Sequence, residues 1–187
     1  MRCACVDETE VVRYYLKSEL GKVVQVWKQT KEFVKRFDNA IDELDLHESI
    51  RLMKALTGKE YRDNSLHEHL GRSEYRWKKE NVPCDLLRLP EVNASVNHFL
   101  EKHNFNLHMF VQYLKNEGRT EPDLVKEFPD DGRKIWHAFM IATACPPTVQ
   151  ILDGAHRAVV LASRCHSKIG CYVGYKLDTL IQVRRAR

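Results

Sequence analysis

The stretch TVQILDGAHRAVVLASRCHSKIGCYVGYKL, residues 148–177, changes its hydrophobic period twice and decides the fold. Pro146-Pro147 leads into Thr148–Leu152, whose β-branched residues predict an extended segment. Ala158–Ala162, continued to Cys165, is an apolar run of helical length, and Ile169, Cys171, Val173, Tyr175 and Leu177 then alternate as in a half-buried strand. Strand, turn, helix and strand follow in order, with Asp153-Gly154-Ala155-His156-Arg157 at the turn.

That turn carries the chemistry. The first turn of a helix has backbone N–H groups without internal acceptors and a partial positive charge, so it attracts phosphate or carboxylate. Gly154 allows a sharp turn and close approach of a ligand to the backbone of Gly154 and Ala155. Asp153 is placed to cap the helix or hold the loop. His156 offers a titratable donor, and Arg157 a permanent, bidentate one. The competing reading is structural: a cap, a turn glycine, a satisfied histidine and a surface salt bridge.

Upstream, Val11, Val12, Tyr15, Leu16, Val23, Val24, Trp27, Phe33 and Val34 recur at helical spacing from Glu8 to about Arg36, with Gly21 as a point of interruption. A second helical pattern runs from Ile41 through Leu56 to a cap at Gly58, so the two predict a helical hairpin. Lys59–Asn81, rich in charge, reads as a linker or solvated helix. Val82–Leu89 reads as a short strand ended by Pro90. Val92–Leu100 and Leu107–Leu114 read as helices, and Ile135–Ala144 fits a buried helix or a strand equally well. The fold class is therefore α+β: residues 1–81 form a helical region and linker, and 82–187 a small mixed domain.

Composition bounds the function. In 187 residues there are 30 Lys and Arg against 26 Asp and Glu, a net charge of +4, too mild to mark a nucleic-acid protein without local clustering. Such clusters are Arg72, Arg76, Lys78 and Lys79, and the tail Arg184-Arg185-Ala186-Arg187. No apolar run spans a bilayer and no signal-peptide pattern opens the chain, so a cytoplasmic protein without membrane contact is expected. The six cysteines read as reduced thiols. Cys145, His156, Cys165, His166 and Cys171 lack a Cys-x-x-Cys pair, and no metal site is expected. His98, His103 and His108, five apart, do not share a helical face.

Ile151-Leu152-Asp153-Gly154-Ala155-His156-Arg157-Ala158, with its helix and the strand Gly170–Tyr175, resembles the ParB-like and sulfiredoxin-like superfamily, in which a Gly-x-x-Arg type turn opens a helix and holds nucleotide phosphates. The resemblance covers about thirty residues. It implies a ParB/sulfiredoxin-like C-terminal domain with Gly154, Ala155, His156 and Arg157 at the phosphate and Asp153 as an orienting or metal-facing carboxylate. His156 and Asp153 would be the catalytic pair. Ala155 stands where sulfiredoxins carry the attacking cysteine, so sulfinic-acid reduction by that route is not expected. The superfamily also includes nucleotide-dependent free serine kinases, for which Glu117, Glu121 and Asp131 are candidate upstream carboxylates by type alone. Asp153-Gly154-x-x-Arg157 also matches the second half of the Fic-type nucleotidyl transferase signature, but Val149 and Gln150 replace its His-Pro.

The expectation is a nucleotide- or phosphate-binding protein. If it is an enzyme, it would be a phosphotransferase or nucleotide hydrolase acting on a nucleoside di- or triphosphate with Mg²⁺. The alternatives are a noncatalytic nucleic-acid-binding module of ParB-like type and a degenerate Fic-like transferase. A protein partner would use the N-terminal helices.

Overall fold

The structure, a computed structural model, describes residues 5–27, 40–56, 66–70, 74–90, 100–119, 139–164 and 166–177. They fall into two compact units, 78–176 and 5–77 with Leu177.

The N-terminal unit contains helices in both of the segments read as helical, while residues 28–39 between them lie outside the described residues. Helix α1 (Glu8–Trp27) continues through Gly21, and α2 (Leu46–Leu56) follows. Val11, Val12, Tyr15 and Leu16 of α1 are buried, as are Ser49 and Met53 of α2. Residues 42 and 44, just before α2, are held to α1 by polar contacts. Arg13 donates through Nε and Nη2 to the Leu44 carbonyl, and Lys17 pairs with Asp42 at 2.6 Å.

Asp45 and Glu48 form a reciprocal capping box at the start of α2, each carboxylate accepting the other residue's backbone N–H, at 2.8 and 3.0 Å. Asp7 accepts from the Thr9 N–H at 2.7 Å at the start of α1. The bonds to Thr9 hold its carboxyl below the usual value. A short helix, α3 (Leu66–His69), precedes β2 (Tyr75–Pro83), and the two-residue β1 (Cys5–Val6) is the neighbour of β2 in the sheet.

One expectation fails here. Residues 75–81 are not linker or solvated helix: β2 runs from Tyr75 to Pro83. Arg76, Lys79 and Asn81 are exposed while Trp77 and Val82 are buried, so a strand that looks solvated by composition is anchored by an aromatic and a β-branched residue. The strand expected at Val82–Leu89 is correspondingly broken. After β2 the chain turns at 84–86 and gives only the two-residue β3 (Leu87–Arg88).

The C-terminal unit contains β4 (Met140–Cys145), β5 (Thr148–Asp153), α5 (Ala155–Ser163) and β6 (Lys168–Lys176), preceded by α4 (Leu107–Asn116). The strand–turn–helix–strand reading of 148–177 is thus present in the structure. The described part of the ambiguous 135–144 segment, from Met140, is strand. Of the segment 92–100 only Leu100 is described.

Strand order is β2-β6-β4-β5-β3. β4 lies between its two successors, antiparallel to β5 and parallel to β6, and β3 pairs parallel with β5. Backbone bonds from Leu177 N–H to Glu74 O and from Cys84 N–H to Ser167 O, at opposite ends of β2 and β6, make that pair antiparallel.

One face of the sheet (Val82, Leu87, Met140, Ile151, Cys171, Val173) packs with Leu107, Phe110 and Val111 of α4 and Ala158, Val159 and Leu161 of α5 into a single core. β6 differs from the half-buried strand expected of it. Tyr172, on the opposite face, is only 3% exposed, packed against the Phe139 ring with a centroid separation of 5.3 Å. The ring of Phe139 also covers Gly170, where a Cβ would lie 2.9 Å from it. Lys79 sets its ammonium 4.4 Å from the Phe139 centroid and 5.2 Å from that of Tyr172.

Candidate functional site

β5 forms because Thr148, Val149 and Ile151 favour the pleated surface, and it pairs with β4 from Thr148↔Cys145 to Ile151↔Ala142. Beyond that point the register shifts, and Asp153 rather than Leu152 faces Ile141. Such a bulge inserts one residue and re-aims the next side chain. Here it sets the direction of Asp153 at the mouth of α5.

Gly154 then takes φ 87° and ψ 22°, the left-handed conformation that an L-residue adopts only at a cost. It caps α5, and its carbonyl accepts the Ala158 N–H at 2.9 Å. Gly154 brings no side-chain cap, and Asp153, expected to cap the helix or to hold the loop, is not seen to cap it. The carboxylate instead reaches four residues ahead, where Oδ2 accepts from Arg157 Nη2 at 2.8 Å.

This contact is not the surface salt bridge of the structural reading, because the two side chains are only 12% and 13% exposed. A pair at this depth loses on the order of 3 kcal/mol when one partner is removed, since the other charge stays behind uncompensated. The guanidinium lies directly over the glycine: a Cβ at 154 would sit 3.0 Å from Arg157 Nη2, 3.2 Å from Nε and 2.7 Å from Met140 Sδ.

The turn therefore brings together Asp153, Gly154 and Arg157, and leaves His156 exposed in the first turn of α5. Met140, buried beneath Gly154, is a contributor that the sequence reading missed. Only a residue-specific contact between β4 and the turn reveals it.

Two further groups bear on the chemistry. Burial pushes the Cys84 thiol up to about 11 and the Cys171 thiol up to about 12, so neither supplies a thiolate near neutral pH. The Asp153 carboxylate is engaged by the Arg157 guanidinium, and no group of three His, Cys, Asp or Glu stands together among the described residues. Of the candidate upstream carboxylates, Glu117 ends α4 as its C-cap, while Glu121 and Asp131 lie outside the described residues. The basic residues Arg72 and Arg184–Arg187 also lie outside them. Among the described residues no helix is long and apolar enough to cross a membrane. In comparisons with known proteins, the chain matches no family model, no curated protein and no solved structure.

Proposed function

We propose that the Asp153–Arg157 turn binds the phosphate of a nucleotide or another phosphorylated ligand. The observation that carries this reading is the first turn of α5, which starts from a left-handed glycine that brings no side-chain cap and sets the Arg157 guanidinium over that glycine. The N–H groups of that turn and the positive end of the helix are the principal anion donors. Arg157 adds a planar cation whose position is fixed by Asp153, and His156, exposed one residue before it, is placed to donate or relay a proton. The reaction this set of groups suits is phosphoryl transfer, in which the protein mainly positions and neutralises. In this reading Asp153 orients Arg157 and does not hold a metal. The strand conformation of Thr148–Asp153 lends no support to a Fic-type reading, which needs a helical context there.

Calorimetric titration of ATP, CTP and inorganic phosphate into the full chain tests this reading. Arg157→Ala is expected to weaken binding about ten- to a hundredfold, and Arg157→Lys to recover part of the loss, because lysine keeps the charge without the fork. Salt-dependent binding of DNA or RNA with no nucleotide affinity would replace the proposal by a nucleic-acid module. Equal affinities in wild type and Arg157→Ala would remove the site.

A further inference from the structure

We draw no further inference here: the strongest candidate, the side-chain cluster of Lys78, Glu80 and Tyr175 on the helix-facing side of β2 and β6, carries nothing because its groups satisfy one another, the Tyr175 hydroxyl donating to the Glu80 carboxylate and the Lys78 ammonium lying over the Tyr175 ring, and no observation there points to a ligand.

Discussion

Gly154→Ala is the substitution whose cost the structure defines most closely. The methyl group would force a left-handed backbone on an L-residue, at φ 87°, which costs about 1 to 2 kcal/mol. It would also arrive 2.7 Å from Met140 Sδ and 3.0 Å from Arg157 Nη2. Met140 is fully buried and Arg157 is pinned to Asp153, so neither can yield freely. Overpacking of this kind costs about 1 to 3 kcal/mol, and the two terms together predict a loss of about 2 to 5 kcal/mol.

Urea denaturation at fixed pH, followed by far-UV circular dichroism, reads the loss as a fall in midpoint with unchanged slope. A cycle with Met140→Ala separates the terms. Removing the sulfur relieves the closer contact, so in the Met140→Ala background Gly154→Ala should cost less, the backbone term of about 1 to 2 kcal/mol plus whatever the Arg157 contact adds. Destabilisation below about 1 kcal/mol in the wild-type background, or no coupling to Met140, would refute this account of the turn.

Other expectations follow from the same contacts. Asp153→Asn should tighten phosphate binding about threefold, because a carboxylate at about 6 Å from the anion opposes it by ~0.7 kcal/mol even with water-like screening; weakened binding in a metal-free buffer would instead give the carboxylate an essential contact. Stability cycles over Asp153→Ala and Arg157→Ala should show a coupling energy of about 1 to 3 kcal/mol, and zero coupling would mean that the pair is not formed in solution. Gly170→Ala should destabilise the chain because its Cβ meets the Phe139 ring at 2.9 Å, and the loss should shrink in Phe139→Ala, as judged by thermal midpoints. The raised pKa values of Cys84 and Cys171 favour the thiol in the folded state. The stability this gives is complete below pH 9 and is lost as pH rises towards 11 and 12, so the urea midpoint should fall over that window and fall less in Cys171→Ala. For Asp7, whose pKa is lowered, the sign reverses. Its contribution is present above the ordinary carboxylate pKa of 3.8 and is lost below it, and Asp7→Asn should remove that acid dependence, read by circular dichroism, while retaining a cap.

What the sequence made legible was local. Residues 148–177 announce their strand, turn and helix because each segment has one dominant period, and Leu107–Leu114 does the same with its helical spacing. β2 was hidden because Arg76, Lys78, Lys79 and Glu80 interrupt it with charge and Asn81 with a polar amide, and the alternation of Tyr75 and Trp77 was its faint signal. The burial of Tyr172 was not readable either, since it depends on Phe139 and Lys79 arriving from other segments. At the candidate site, the four-residue spacing of Asp153 and Arg157 is visible in the sequence. That they engage each other, with glycine as the cap of the helix, follows a bulge at Leu152, and no period encodes a bulge.

The placement of β4 between β5 and β6 has a bearing on how the turn can be moved or copied. Residues 148–177 read as one continuous motif, yet its two strands do not touch each other; both hydrogen-bond to a third that precedes them in the chain. A synthetic peptide of that motif would have no partner along the facing edges of its strands, and a graft of the turn into another scaffold would need a central strand supplied by the host. The smallest transplantable piece therefore begins at Phe139, whose ring covers Gly170 and whose neighbour Met140 supports Gly154.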